Sequence, residues 1–478
     1  MRGAARLGLI LVAGALAAGC VVGPRYVAPS PPASAQGPLQ SAAAGVTDPA
    51  PLPAHWWRLY DDPALDALVT KALRENDDLK VAQANLLYAQ AALREAEDGR
   101  FPGTTLTTQA DYGKAFLPTK LLASPRTYEL AGFNASYQVD LFGRLTQTIR
   151  AARADAEAAA AARDLVRVTV AAETASAYAA ACGYGEQLAA ARESLAVVQR
   201  GYDLAVAQRD AGALSDFEVD QERALLEQTR AAIPPLEGAR RAQLFVLTAL
   251  LGETPDHVPA AASACIAPPR LAQPLPVGDG AALLKRRPDV READRTLAAA
   301  TAHIGVAVSA LYPTITLGGG YNAGAISPAG LGKIANATYS VGPLVSWSVP
   351  NLLLARDQIR QANAEAQGAL ASFDSTLVKA LSETEQALSV YEAELARHDA
   401  LAAARTAAQK ALSPAQVQFK AGSYSVVDLL SVQAAAVNAN QALAASDQAL
   451  AADQIAVFQA LGGGWQDAPP VNLPPPPR

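Results

Sequence analysis

The chain has 478 residues, 51% of them apolar but only 6% aromatic, and a formal net charge of −6. That balance gives no reason to expect nucleic acid, and the alanine-rich apolar fraction points to long helices packed through small residues rather than a bulky interior. Three domains would be the soft expectation from length alone.

Residues 1–19 read as an export signal: Arg2 and Arg6, a short apolar core from Leu7 to Leu16, then small residues before Cys20. An apolar core this short cannot span a bilayer as a helix. Leu16-Ala17-Ala18-Gly19-Cys20 resembles a lipobox, which makes Cys20 the expected lipidation site and the mature N-terminus, with Ala17 where the pattern prefers Leu. No later apolar run approaches the 18–20 residues of a membrane helix, so any crossing has to be a closed barrel. Cys182 and Cys265 have nothing in sequence to place them together, and both are expected to be small buried apolar side chains.

Residues 20–55, rich in Pro, Ala and Ser, read as a lipid-anchored extended linker. A first unit spans 56–254. Asp62-Pro63 starts a short helix to Glu75, and a longer one runs from Asp78 to about Gly99. Residues 104–113 and 128–141 then alternate with a period of two. In the second stretch Phe133, Tyr137 and Val139 face one way, while Asn134, Ser136 and Gln138 face the other. Such strands have the length of a tilted transmembrane strand. A helical pattern follows from about 144 to 210, broken at Gly212. Ser215 and Glu218 form a capping box for a return helix over about 215–251, which Pro234-Pro235 kinks or breaks.

After a linker at 255–276, a second unit at 277–463 repeats the first. Strands are expected near 314–322 and 338–349, with Val345 and Trp347 on the apolar face and only Leu344 out of place. Helices are expected near 353–420 and 424–461. From Ser136/Ser346 onward the offset is a constant 210, through Tyr137/Trp347, Arg150/Arg360, Gly212/Gly422, Ser215/Ser425 and Glu218/Asp428. Residues 464–478 read as a disordered Pro-rich tail. The fold class expected is therefore mainly α with a small β part: long antiparallel helices forming an α-barrel, plus two hairpins that give four strands per chain. Four strands cannot close a membrane barrel, and open edges are not tolerated in lipid. Closure requires a dimer with eight strands or a trimer with twelve, and twelve leaves room for an aqueous lumen. A periplasmic coiled-coil scaffold with short soluble hairpins is the competing reading.

The motifs Cys20 with Gly23-Pro24-Arg25-Tyr26, Trp56-Trp57, Asp140-Leu141-Phe142-Gly143-Arg144, Ile233-Pro234-Pro235, Arg286-Arg287-Pro288-Asp289 and Gly462-Gly463-Gly464-Trp465 occur in order along the chain. Together they resemble the TolC-like outer-membrane factors, in the lipoprotein branch serving resistance-nodulation-division efflux pumps. That resemblance implies a homotrimer with a twelve-stranded barrel and a helical tunnel, docked to a periplasmic adaptor (membrane fusion) protein and an inner-membrane pump. It implies a passive exit for drugs or other small toxic compounds, with metal efflux or type I protein secretion as alternatives. It also places gate residues at the tunnel tip. Asp428 matches the family's acidic position, with Glu218 its repeat mate. Ser431 stands where a second Asp is frequent, and Phe419 and Arg209 stand where some relatives place a Tyr and its polar partner. Glu218 and Asp428 read equally as helix-start carboxylates favouring the dipole, and Gly212 and Gly422 as helix terminators.

His55, His257, His303 and His398 are scattered, and no nucleotide-binding or hydrolase motif is present. No enzymatic activity, no metal and no cofactor beyond the lipid on Cys20 are expected.

Overall fold

The computed structural model describes residues 21–42, 46–114, 116–117, 120–121, 124–271, 273–347 and 352–475. The lipobox Cys20 and the Pro350 that stands in for Asp140 in the second unit lie outside them. The chain runs β1 (Thr47–Asp48), α1 (Pro63–Glu75), α2 (Asp77–Asp98), β2 (Gly103–Gly113), β3 (Phe116–Leu117), β4 (Lys120–Leu121), β5 (Arg126–Val139) and α3 (Arg144–Asp210). It continues with α4 (Asp216–Ala231), α5 (Ile233–Leu250), α6 (Ala260–Ala264), β6 (Leu275–Pro276), α7 (Gly280–Arg286) and α8 (Pro288–Ser309). Last come β7 (Thr314–Ala325), α9 (Pro328–Leu331), β8 (Ala337–Ser346), α10 (Leu352–Lys420) and α11 (Val426–Ala460).

Local chemistry sets these boundaries. Asp62 accepts from the amides of Ala64 and Leu65 at 2.8 and 3.1 Å, and Pro63 fills the first position of α1, where its missing N–H costs nothing. The return helix of the first unit breaks into α4 and α5 at Ala232, because Pro234 and Pro235 supply no N–H to the preceding turn. Asp140 sits between strand and helix. Its carboxylate accepts from the amides of Leu145 and Thr146 at 2.9 and 2.8 Å and from the Thr146 hydroxyl at 2.7 Å, so it caps α3. Phe142 of the same junction stacks on Tyr312, between α8 and β7, with ring centroids 4.6 Å apart, which ties this junction to the start of the second unit's hairpin.

β2, β5, β7 and β8 form one antiparallel sheet in that order, and β2 and β8 are left as open edges. Its register gathers the alternating residues into rows. Leu106, Phe133, Tyr321 and Tyr339 lie opposite one another, as do Tyr137, Leu317 and Pro343, and Val139, Ile315 and Val345. The opposite face carries Thr105, Asn134 and Ser340, and Gln138 and Thr316, with Leu344 the apolar exception beside them. Phe133, Tyr137, Val139 and Val345 share the apolar face, while Trp347 lies one residue past the end of β8 and its indole donates to the Leu311 carbonyl at 3.2 Å. Phe133, Tyr137, Val345 and Trp347 are exposed, and Val139 is half-buried.

Below the sheet α3 and α10 run for 67 and 69 residues, about 100 Å each if straight. The main apolar core lies partway along them. Trp56 is fully buried and stacks on Phe458 at 4.7 Å, with Trp57, Tyr60, Leu65, Leu247 and Leu461 around the pair. The arginine-rich motif closes this knot. Arg287 bridges Asp289 and Glu383 at 2.6 and 2.8 Å and donates to the Ala460 carbonyl, while Arg286 donates to the Leu461 carbonyl at 2.7 Å.

Three expectations are corrected by the fold. Residues 21–42 and 46–55 are a docked strap rather than a free tether. The amides of Gln40 and Ser41 bind the Glu385 carboxylate at 2.7 and 2.8 Å, and β1 pairs with β6 in parallel. The proline-rich tail is likewise held through Pro475, because Arg163 binds the Pro469 carbonyl at 3.1 Å and Arg153 the Pro475 carbonyl at 2.8 Å. Leu473 also packs on the cluster of Leu93, Ile149 and Ala156. Prolines forbid helix here, but they do not prevent carbonyls from being captured by arginines on α3.

The third correction concerns the cysteines. Cys182 and Cys265 are joined by a disulfide, with Cα atoms 4.9 Å apart. The return helices α4 and α5 climb back along α3 and bring the linker to the level of Cys182. Arg240 on α5 then binds the carbonyls of Ser263 and Cys265, both at 2.7 Å, and holds the linker there.

Candidate functional site: the helix-turn tip

The end of α3 and α10 opposite the sheet is a pair of tight turns with the same chemistry. Gly212 and Gly422 both have left-handed backbones, φ +73° and +71°. Gly212 N donates to the Arg209 carbonyl at 2.8 Å and Ala213 N to the Gln208 carbonyl at 2.8 Å. Gly422 and Ser423 repeat this with the carbonyls of Phe419 and Gln418 at 2.9 and 3.0 Å. These are Schellman terminations, in which glycine accepts the positive φ that a β-carbon resists.

The return helices start with matching caps. Glu218 and Ser215 form the reciprocal box, with the carboxylate accepting from the Ser215 amide at 2.8 Å; those hydrogen bonds hold its carboxyl below the usual range. At the second turn the Ser425 hydroxyl accepts from the Asp428 amide at 3.1 Å and donates to its carboxylate at 2.6 Å. Asp428 is exposed and Glu218 is half-buried. Within one protomer both are helix caps, and the exposure of Asp428 leaves it able to face an axis as well.

The remaining residues expected at the tip divide. Ser431 is exposed and its hydroxyl donates to the Asp428 carbonyl at 2.8 Å, so it is turned back onto its own helix. Arg209 pairs with Asp210 at 2.7 Å and Asp216 at 3.6 Å, tying α3 to the start of α4. Phe419 is only 2% exposed and packs with Ala415, Val426 and Leu429. It is core, and its contact across the tip is made by its backbone carbonyl, which accepts from Gln208 at 3.1 Å. Within one protomer the Phe419 ring is thus held in an apolar cluster while Arg209 is held by Asp210 and Asp216. Among the described residues no group of His, Cys, Asp and Glu is arranged to hold a metal.

Sequence reading missed a buried polar pair just above the tip. Glu222 on α4 and Gln433 on α11 are both fully buried, and neither side chain has a hydrogen-bond partner. They flank Gly201 of α3, where a β-carbon would lie 2.3 Å from Gln433 Nε2 and 3.4 Å from Glu222 Oε2. Val198, Leu226 and Val437 surround them. Burial alone pushes the Glu222 carboxyl up to about 7. The signal was available in the spacing. Val219, Glu222, Leu226 and Thr229 are the buried positions of α4, so Glu222 occupies an apolar stripe at helical spacing.

Because the packed state holds the Glu222 proton more tightly than an open one, the cost of ionising it there is absent below its ordinary value of 4.5. The cost grows as pH rises to about 7 and is constant above it. Replacing Glu222 with Gln should remove that slope, which amounts to roughly 3 kcal/mol per protomer between pH 4.5 and pH 8. Thermal midpoints measured from pH 5 to 8 check this, and an identical slope in wild type and variant would refute it.

A sheet with one apolar and one polar face, continuing into helices about 100 Å long that end in paired turns, is the architecture to compare with known proteins. The family model for outer membrane efflux proteins matches residues 68–253 and 281–463, both units of the chain. The chain belongs to the outer membrane efflux protein family. Curated relatives include nodulation protein T of Rhizobium leguminosarum bv. viciae, 28% identical over 96% of this chain and 93% of that protein. Another is the probable outer membrane lipoprotein SilC of Salmonella typhimurium, 25% identical over 94% of this chain and 96% of that one. The solved outer-membrane channel OprN superposes with a TM-score of 0.87 at 32% identity, covering 94% of this chain and all of OprN. As an outer membrane efflux protein the chain is an exit channel placed in the outer membrane, and its mainly α fold with a small sheet is that of OprN.

Proposed function

We propose that three copies of this chain close a twelve-stranded barrel in the outer membrane. The long helices continue that barrel as a tunnel into the periplasm, through which a partner pump expels drugs or other small toxic compounds. The open four-stranded sheet carries the proposal. Its edges β2 and β8 are unpaired in one protomer, lipid tolerates no open edge, and four strands fall short of the smallest closed barrels. Two copies would make eight strands, whose interior is filled by side chains, whereas twelve leave an aqueous lumen. The polar row through Asn134, Ser340, Gln138 and Thr316 would line it. Phe133, Tyr137, Val139, Val345 and Trp347 would face lipid, with the tyrosines near the interfaces.

In the same reading Cys20 carries the lipid. The tip, bearing Asp428 and Glu218 near the axis, is the periplasmic gate, and Gly212 and Gly422 are its hinges of fixed shape. The outer rim of that tip is where a periplasmic adaptor and, through it, an inner-membrane resistance-nodulation-division pump would dock. Phe217 and Val427, equivalent residues of the two units, are 70% and 63% exposed there, which suits an apolar contact. Purified in detergent, the protein should have a mass three times that of the chain by light scattering corrected for the micelle. A monomer or dimer would reject the twelve-stranded closure.

A further inference from the structure

Beneath the strap, a cavity of about 450 Å³ opens between residues 24–26, the first turns of α3 and the middle of α8. Four guanidinium groups line it, from Arg25, Arg150, Arg153 and Arg295, against one carboxylate, Glu157. Glu157 is already engaged by Arg295 at 3.1 Å. Arg153 spends one nitrogen on tail carbonyls and, at 3.5 Å, on Glu97, but its Nε is buried and has no partner. Arg25 and Arg150 take part in no ion pair among the described residues. Arg295 is paired with Asp294 as well as Glu157, and Arg153 with Glu97, so the cavity's uncompensated positive charge is that of Arg25 and Arg150.

The second unit shows that this is not a general property of the position. Arg360, the repeat mate of Arg150, is neutralised by Asp357 at 2.7 Å. The residue equivalent to Asp357 in the first unit is Gln147, which cannot neutralise anything and instead donates to the Val22 carbonyl at 3.0 Å. One substitution between the units thus frees an arginine and fastens the strap beside it.

Location narrows the ligand. Val22 N donates to the Phe142 carbonyl at 3.2 Å, so the strap meets the strand-to-helix junction two residues after Cys20. Arg150 is the seventh residue of α3, about 9 Å below the helix start. The headgroup layer flanking the hydrocarbon is about 5–8 Å thick, which puts these arginines at its periplasmic edge. We propose that this cavity binds the phosphate of an anionic glycerophospholipid in the periplasmic leaflet. The inference rests on the outer-membrane placement of the sheet, and it adds a second lipid attachment beside the chain on Cys20. Guanidinium groups suit a phosphodiester through paired N–H donors.

Native mass spectrometry of the full-length protein, with phosphatidylglycerol and phosphatidylcholine of identical acyl chains, tests it. Phosphatidylglycerol should be retained with about tenfold preference, and the R25Q/R150Q double variant should lose that preference while its oligomeric mass and conductance stay unchanged. Millimolar inorganic phosphate should not displace the lipid. Equal retention of both lipids, or a preference surviving in the double variant, would overturn the proposal. Displacement by phosphate would assign the cavity to a soluble anion instead. Conductance read on the same preparation separates these failures from a failure of the channel reading, because only the latter abolishes it.

Discussion

Replacing Asp428 with alanine should raise unitary conductance of the assembled channel and lower its preference for cations by about tenfold. Three carboxylates converging at one constriction concentrate counter-ions, and cations held between them both narrow and bias a gate. The same side chain has a second task, since it accepts the Ser425 hydroxyl at the start of α11. Asp428→Asn separates the two, because an amide keeps the acceptor and loses the charge. If the asparagine variant behaves like the alanine one, charge is the operative property. Unchanged conductance and ion preference in both would remove Asp428 from the gate. Glu218 should give a smaller effect, because its carboxylate is committed to a capping box.

Removing the Cys182–Cys265 bridge should produce a large loss of stability away from the tip. The bridge closes a loop of 83 residues, and by the chain-entropy relation constraint of that length in the unfolded chain stabilises by about 4.5 kcal/mol. The closed segment contains the lower half of α3, the tip turn and the whole return arm. A Cys182→Ala/Cys265→Ala variant should therefore show a lower thermal midpoint, and the wild type should match it after full reduction. Equal midpoints for oxidised, reduced and substituted protein would contradict this. The linker would then be held by Arg240 and packing alone.

Much of this fold could be read from local pattern. Alternation fixes the strand faces because the side-chain period is two, and the register only has to stack rows that the sequence already separates. The Ser215–Glu218 box, the Pro234 break and the glycine turns are likewise properties of three or four neighbouring residues. What stayed hidden depends on contacts between distant segments. Nothing near Cys182 announces a linker 83 residues away, and nothing in a proline-rich tail announces that Arg163 will seize its backbone. Phe419 misleads for the same reason. Its place near the turn suggests a lining residue, but the apolar faces of α10 and α11 meet around it and turn it inward. Glu222 was legible in principle, since only its position on an apolar stripe distinguishes it from the solvated acids around it.

The most direct test of the channel is planar-bilayer recording from the purified protein. Trimeric closure of the sheet predicts discrete, equal unitary steps that persist without any pump or adaptor present. Folded protein that enters the bilayer fraction yet gives no unitary conductance, even with Asp428 neutralised, would contradict an open-ended duct through the membrane.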